Sequence, residues 1–538
     1  TPGGLAPRSV PLHNACIPAL GGQLGETASA ADMTACWQDE LRRAMADFEP
    51  DLVAITCMFT MTHPMLIGAA EFIKAMDPEI PVAAGGVHVT NAAEMIMAET
   101  GAIDFIGLYE GDEAFIAAID VGRGAAADDA LRQVAMTIDG GYVALGGGMA
   151  TPPADLDTVP DYLGLDVGGY SELGEIGTFR FWRPTGARSS PVLSNRGCRA
   201  QCSFCSVRNF NGYGVRGRSV GSVIDEIKSL HGDHGITHLT WLDDDLFYDV
   251  PRMLKLFEEI AGLPFEITWD ASNGIIASAA AAHPELVEAA AASGCIGMYF
   301  GIESGNTDIL SAVKKPSGIK HYLKVGELMQ AHPQIFVRGF LIVGFPNETI
   351  GQILDTVQLA RDMNLDWYTV QLLTPLPNTP IYQEMVDLGL IESGELNTEG
   401  EGFTMFSVRE GERQRRREAR PEPETAAFFD LFAQPHDHVP TKPQLNDIWL
   451  TADYEINYAR LADMDDPQKL AKIGRFLTDI ADRMTLDHPL ANYFLGRIHE
   501  KLGDSEESGE RSRHAARLLE NSEYWRQRFE KLGLPSAI

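Results

Sequence analysis

Apolar and polar positions follow two successive patterns along this chain, and then the pattern changes. In the first block, short apolar runs alternate with stretches of helical spacing. Asp51–Met58, Pro81–Gly85 and Asp104–Tyr109 read as buried strands, with Pro64–Met76 and Asn91–Thr100 as the helices between and around them. Strands and helices alternating at this spacing predict a parallel, doubly wound, Rossmann-like sheet. Ligands of such sheets sit beyond the carboxyl ends of the strands, here Thr56–Thr62, Gly85–Thr90 and Tyr109–Asp112. Val134–Leu145 reads as a hairpin around Gly140-Gly141.

The second block repeats the alternation on a larger scale. Ser190–Ser194, His238–Leu242, Glu266–Asp270, Gly297–Ile302, Ile335–Val343 and Trp367–Leu373 are its strands. Val220–Leu230, Pro251–Ala261, Pro284–Ala292, Lys320–Ala331 and Thr349–Met363 are helical. Six strands with crossover helices predict an open, partial (β/α)6 barrel whose chemistry lies at the carboxyl ends of its strands. Beyond it the chain turns charged and helical. The expected division is a Rossmann-like domain over 1–145, a linker rich in Gly, Pro and Asp over 146–187, a barrel over 188–395 and a mainly helical region over 396–538.

At 538 residues the chain is too long for one core, and its 45% hydrophobic and 22% charged content is that of a globular protein. Asp+Glu total 76 against 43 Lys+Arg, a formal charge of −33. That balance argues against nucleic-acid backbones or anionic membranes as main partners. No apolar run reaches the roughly 18 residues of a membrane span, and residues 1–30 lack the pattern of a signal peptide, so a cytoplasmic location is expected. The basic run Arg413, Arg415, Arg416, Arg417 and Arg420 reads as a solvated helix face, or more sharply as an anion contact. Seven cysteines, three of them within eight residues, are no disulfide framework and point to a reducing compartment and a metal site.

Those three stand in Cys198-Arg199-Ala200-Gln201-Cys202-Ser203-Phe204-Cys205, a C-x3-C-x2-C spacing in a loop after a strand. Structural zinc and closed electron-transfer clusters want four ligands, and Cys16, Cys36, Cys57 and Cys295 lie far away in sequence. Three thiolates suggest a 4Fe–4S cluster with one iron left open to a substrate or cofactor.

With Phe204 as the aromatic, the motif resembles the hallmark of the radical S-adenosylmethionine superfamily. The resemblance implies that Cys198, Cys202 and Cys205 hold the cluster, and that its open iron chelates the methionine end of S-adenosylmethionine. An electron then breaks a C–S bond and gives a 5′-deoxyadenosyl radical, which removes hydrogen from an unactivated carbon. Trp241–Phe247 resembles the end of the second barrel strand, where Asp243 and Asp244 would accept from the methionine ammonium; the other reading is that Asp245, or all of Asp243-Asp244-Asp245, only caps a loop. Phe300–Gly305 resembles the fourth-strand motif, with Glu303 and Ser304 reaching the ribose or methionine. Arg338 and Gly339–Pro346, including Gly344, resemble the fifth strand beside the adenosine, and Gln371–Pro380 the sixth, with Asn378 where relatives often carry glycine. Phe204, Arg338, Gly344 and Gln371 thereby join the implied cofactor contacts. Arg216 and Arg218 have three readings: neutralising the cluster, positioning substrate or forming structural ion pairs.

Residues 51–118 resemble the cobalamin-binding domain fused ahead of many such enzymes, through Asp51–Thr56, Gly85-Gly86-Val87-His88 and Tyr109–Phe115. The implied contacts are Thr56, Met58, Thr60, Gly85, Gly86, His88, Tyr109, Glu110 and Gly111. The D-x-H-x-x-G motif is absent, so cobalamin would bind without a protein ligand below cobalt, and His88 reads as a hydrogen-bonding group. Such domains open with a strand where Thr1–Val10 is a Pro/Gly-rich loop, so that strand is expected to be missing or the sheet short by one. The resemblance implies methylation of an unactivated carbon in a small molecule or natural-product precursor, with flavodoxin or ferredoxin as electron donor. The alternatives are ring formation, ring rearrangement or oxidation without net methyl transfer, and a non-catalytic module that only binds cobalamin and a cluster.

Overall fold

The computed structural model describes residues 30–122, 133–145, 156–162, 165–173, 177–394, 429–485 and 488–535. Thr1–Val10, the arginine run 413–420 and part of the linker lie outside the described residues.

The amino-terminal sheet has the strands β1 Val53–Thr56, β2 Val82–Gly85, β3 Phe105–Gly107, β4 Val134–Ile138 and β5 Gly141–Leu145, ordered 1-2-3-4-5. β1, β2 and β3 are parallel, with Val53 opposite Val82 and Ala83 opposite Phe105. The expected hairpin forms, and it extends this sheet as an antiparallel edge. Its turn, Asp139 at φ 50° and Gly140 at φ 78°, is too tight for a parallel crossover. The helical reading of 91–100 resolves into Val87–Asn91 and Ala93–Glu99. A helix not read from the sequence, Ala30–Phe48, packs Trp37 and Leu41 onto the same core as Leu66, Ile73, Val82, Val89, Ile96 and Ile106.

The barrel strands are β6 Ser189–Val192, β9 His238–Trp241, β10 Thr268–Ile275, β11 Cys295–Glu303, β12 Phe336–Val343 and β13 Trp367–Leu372, all parallel in that order. Between β6 and β9 a short antiparallel ribbon, β7 Asn195–Arg196 and β8 Arg216–Gly217, brackets the cysteine loop. β9, β11 and β12 are buried almost throughout, as parallel strands under crossover helices must be. The crossover helices begin on side-chain caps: Ser219 accepts from the Ser222 amide, Asp249 from Arg252, and Thr349 from Gln352 in a capping box.

The carboxy-terminal helices include Lys442–Asp453, Pro467–Asp479, Pro489–Leu502, Ser505–Glu520 and Glu523–Lys531. They close the amino-terminal end of the barrel. Phe336 and Trp367, the first residues of β12 and β13, share a core with Leu470, Ile473, Phe476, Phe494, Leu495, Trp525 and Phe529. The open edge of β13 is covered as well: the Trp449 indole donates to the Val370 carbonyl, and Asn457 both accepts from the Tyr368 amide and donates to its carbonyl. The opposite, carboxyl end of the barrel is thus left for chemistry.

One cap in this region titrates. His488 caps helix Pro489–Leu502 by accepting from the Ala491 amide through Nδ1, and burial pushes its pKa down to about 4. The folded state holds the neutral ring more tightly than the unfolded chain does. Its contribution is present above pH about 6.5 and is lost as pH falls through about 4. His488→Asn keeps a cap that does not titrate. Unfolding free energies from urea titrations should therefore fall more steeply for the wild type than for the variant between pH 7 and pH 4, by on the order of 1–2 kcal/mol. Parallel curves would remove His488 from the acid response.

Candidate functional site

The cysteine loop leaves the end of β6 through Gly197, at φ +89°, where a Cβ would stand 2.4 Å from the Gly214 carbonyl oxygen. Only glycine lets the two arms of the ribbon approach so closely. The loop is then pinned from three sides. Asp245, buried at the end of β9, accepts from the Arg199 guanidinium at 2.5 and 2.8 Å, and its carbonyl accepts from Asn195 Nδ2 at 3.1 Å. The Ser203 amide donates to Val313 (3.0 Å), and its carbonyl accepts from Ile381 (3.1 Å). Phe204 packs against the apolar cluster of Ile309, Val313, Ile342, Phe345 and Ile381.

Cys198, Cys202 and Cys205 are all free thiols. Burial pushes Cys198 up to about 12 and Cys205 up to about 11, and raises Cys202 as well. Cys205 feels the charge of Cys202, and Cys198 that of Cys205, so the three lie near one another. Among the described residues no group of three or more His, Cys, Asp or Glu is placed to hold a metal ion. Three free thiols within one eight-residue loop fit a cluster, in which each thiolate takes a different iron.

The three aspartates after β9 diverge. Asp243 is buried and accepts from the Ser194 amide (2.9 Å) and hydroxyl (2.6 Å), tying the ends of β6 and β9 together. Asp245 holds Arg199, as above. Asp244 accepts from Asn211 (3.0 Å) and Asn273 (2.9 Å) and is electrostatically coupled to Cys198 and Cys205. Burial pushes Asp243 and Asp244 each up to about 6. The loop-cap reading therefore describes Asp243 and Asp245, although Asp245 also acts on Cys198, and Asp244 is the member of the run that acts on both Cys198 and Cys205.

Glu303, at φ +67° where β11 ends, pairs with Lys315 at 2.7 Å, and Lys315 in turn lies near Cys202. Gly301 makes room for this pair, since a Cβ there would stand 2.8 Å from both Glu303 Oε1 and Lys315 Nζ. No spacing signal singled out Lys315. Ser304 is wholly buried; its hydroxyl meets Thr356 Oγ1 at 3.2 Å and accepts from the Asn306 amide, so it braces the start of the next helix. Gly344, at φ +89°, donates its amide to Glu348 at 2.7 Å, and burial pushes Glu348 up to about 8. Gln371 lies opposite Ile342 near the carboxyl end of β13 and is half-buried.

Arg338 is a correction. The structure places it third in β12, towards the closed end of the barrel, where it donates to Thr369 (2.6 Å) and Thr178 (3.2 Å) and stacks on Tyr299 and on Phe476 of the carboxy-terminal helices. It supports the seal and does not reach the cysteine end.

The amino-terminal loops present a second surface. Thr56 ends β1, and Met58 and Phe59 after it are 48% and 61% exposed, large apolar side chains open for a ligand to cover. Gly86, at φ +113°, lies so close to Cys57 that a Cβ would stand 2.5 Å from its carbonyl oxygen, and Gly85 accepts from the Cys57 amide at 2.8 Å. His88 is buried with both ring nitrogens engaged: Nδ1 with Thr60 (3.2 Å), Nε2 with His63 (2.9 Å), and His63 continues to Glu99 (2.8 Å). Burial, with His63 beside it, pushes His88 down to about 4. The hydrogen-bonding reading of His88 matches this chain; His63 and Glu99 were not visible from the sequence. Tyr109, at φ 63°, donates its amide to Thr90 Oγ1, and Gly111 opens the next helix.

Glu110 departs from its expected place. Its carboxylate is buried against Arg216, with Nη1 at 3.2 Å from Oε2, and Arg196 Nη1 lies 3.3 Å from the same oxygen. It faces the ribbon of the cysteine loop, and helix Val87–Asn91 packs on helix Val207–Asn211 alongside. Arg218 resolves to an ion pair with Glu226, which also accepts from Tyr162 at 2.6 Å.

A sheet domain with an open ligand face, set against a partial barrel that presents three thiols in one loop, defines an enzyme with two large cofactors in facing domains. Family models agree, the radical SAM superfamily over residues 192–360 and the B12 binding domain over 8–119. The chain thus carries a radical SAM domain behind an amino-terminal B12-binding domain, and these domains imply a 4Fe–4S cluster, S-adenosylmethionine and cobalamin as its cofactors. An uncharacterized methyltransferase of Pyrococcus horikoshii is 26% identical over 362 residues, 65% of this chain and 73% of that one. The anaerobic magnesium-protoporphyrin IX monomethyl ester cyclase of Cereibacter sphaeroides is also 26% identical, over 65% of this chain and 55% of its own. The radical S-adenosylmethionine methyltransferase TsrM of Kitasatospora setae, solved with cobalamin and a [4Fe-4S] cluster bound, is similar in fold with a TM-score of 0.52 at 16% identity, over 71% of this chain and 72% of that one. No helix among the described residues is long and apolar enough to cross a membrane.

Proposed function

We propose that this enzyme transfers a methyl group to an unactivated carbon of a small molecule or natural-product precursor. The observation that carries the reading is the direct apposition of the cobalamin-side loops to the cysteine loop, through Glu110 with Arg216 and Arg196 and through helix Val87–Asn91 on helix Val207–Asn211. When bound, the cluster and S-adenosylmethionine supply a hydrogen-abstracting radical, and cobalamin supplies a transferable methyl group.

Cys198, Cys202 and Cys205 hold the cluster. Asp244 and Glu303 accept from the methionine ammonium, and Lys315 offsets negative charge beside Cys202. Phe204, Gly344 and Gln371 border the remainder of that cofactor. Thr56, Met58, Gly85, Gly86, Tyr109 and Gly111 border the macrocycle, with Thr60 held by His88. Residues 1–145, 188–395 and 396–538 form the cobalamin, barrel and helical units around the linker 146–187. The free thiols suit the reducing cytoplasm, where flavodoxin or ferredoxin would supply electrons.

Ring formation or oxidation without methyl transfer is the second reading, favoured by the similarity to a cyclase. Anaerobic reconstitution with cobalamin, followed by reduction with S-adenosylmethionine and a candidate precursor library, separates the two. A product heavier by one methylene unit is expected; a product of unchanged carbon count would turn the assignment to the second reading.

A further inference from the structure

The buried carboxylate of Glu110, in the turn after β3, meets both arms of the ribbon that carries the cysteine loop. Arg196 and Arg216 are paired across that ribbon, and two guanidiniums so placed repel unless an anion sits between them. Glu110 supplies it: both carboxylate oxygens meet Arg216, and Oε2 also faces Arg196. The carboxylate is 4% exposed, so the attraction is weakly screened; loss of the anion would take the ion pair from Arg216 and leave Arg196 only the longer contact to exposed Asp112 at 3.7 Å. The anchor is firm at each end. On the sheet side, Gln133 donates to the Glu110 carbonyl at 3.2 Å, fixing the turn after β3 to the segment that enters β4. On the ribbon side, the Arg216 guanidinium also donates to the Asn211 carbonyl at 3.2 Å, at the end of the helix that packs on Val87–Asn91. Arg196 stands two residues before Cys198, so a shift of the ribbon moves the first thiol.

We propose that Glu110 is a positioning residue that sets the distance between the cobalamin face and the cysteine loop, acting through Arg196 and Arg216 and touching neither cofactor. The inference rests on the placement of the two cofactors proposed above. Without the carboxylate the like-charged ribbon leaves the sheet, each domain keeps its own core, and the two centres lose their register.

The test compares wild type, Glu110→Gln, Glu110→Asp and the charge-swapped pair Glu110→Arg with Arg216→Glu. Amide exchange of the apo-protein reads the latch directly. Exchange over 195–218 and 87–91 should be roughly tenfold faster in Glu110→Gln, intermediate in Glu110→Asp and returned towards wild type in the swapped pair. Pulsed dipolar spectroscopy of the reduced holoenzyme then reads the separation of cluster and cobalamin(II), which should broaden in Glu110→Gln at wild-type loading of both. Unchanged exchange and an unchanged distance in that variant would overturn the proposal. Should Glu110→Gln fail to fold, Arg216→Gln gives the same two readings from the other partner. A wild type that loads no cobalamin would count against the proposed function, while the exchange comparison would still judge the latch.

Discussion

Cys202→Ala is expected to reduce 5′-deoxyadenosine formation to the background of the uncatalysed reaction while leaving cobalamin binding intact. Cys202 lies between the other two thiols in the loop and beside Lys315, and an open cluster held by three cysteines has no spare ligand. The loop itself should survive the change. Its anchors are the Arg199–Asp245 fork and the two main-chain bonds of Ser203, none of which uses the Cys202 side chain. Iron and sulfide content after anaerobic reconstitution, the visible absorbance of the cluster and the deoxyadenosine yield should therefore fall together, with an unchanged melting transition of the apo-protein. Cys295→Ala is the control. That thiol is buried in β11, away from the loop, and its removal should cost stability as a small cavity does, about 1 kcal/mol, with the cluster retained. Deoxyadenosine at wild-type yield from Cys202→Ala would end the assignment of the cysteine loop.

The strands of both domains were legible because they are continuous apolar runs bounded by turn residues, and Val82–Gly85 and Cys295–Glu303 are buried along nearly their whole length. The ribbon β7–β8 was not legible. Two residues per arm carry no periodicity, and what makes the ribbon is Gly197 fitting under the Gly214 carbonyl across the loop. The cysteine spacing was readable since its residues are local. Their surroundings come from far away: Asp245 from the turn after β9, Lys315 from the turn after helix Thr307–Ala312 and Glu110 from the other domain, 106 residues from Arg216. Asp243, Asp244 and Asp245 are indistinguishable as letters. Successive loop residues face different ways, and only the fold decides which of them lies beside the thiols. Arg338 was misplaced for a related reason. It belongs to the right strand, but five residues before Val343 at about 3.3 Å each put it roughly 16 Å short of the strand's carboxyl end.

The electrostatics show how little net charge says about a site. The chain carries a formal charge of −33, yet Arg196, Arg199, Arg216 and Lys315 gather around the cysteine loop. Each is matched by a largely buried carboxylate, Glu110, Asp245 or Glu303, so the cations are held in fixed directions and do not form a basic patch open to polyanions. Paired cations near the thiols temper the negative charge that a thiolate-ligated cluster brings, without leaving an unpaired charge in the apo-protein.

Gly86→Ala should separate the two halves of the enzyme. The residue is at φ +113°, a conformation that a side chain strains, and its new Cβ would stand 2.5 Å from the Cys57 carbonyl oxygen and 2.9 Å from the carbonyl carbon. The neighbour is backbone at the end of β1, so it cannot rotate away as a flexible side chain would. Strain and clash together should destabilise the amino-terminal domain by about 2–4 kcal/mol and push the loops after β1 and β2 apart, where Met58, Phe59 and His88 are set. Cobalamin affinity, titrated by the change in corrin absorbance, should fall at least about tenfold. The barrel keeps its own core, so cluster content and deoxyadenosine formation should stay within about twofold of wild type, and methylated product should be lost with cobalamin. Gly111→Ala makes the comparison decisive. A Cβ there meets nothing within 4 Å, and the residue opens a helix, so alanine should leave the apo-domain as stable as before. Weakened cobalamin binding in that variant would then report a close approach of the macrocycle to Gly111 itself. Wild-type cobalamin affinity in Gly86→Ala would show that the loop between β2 and His88 does not shape the corrin site.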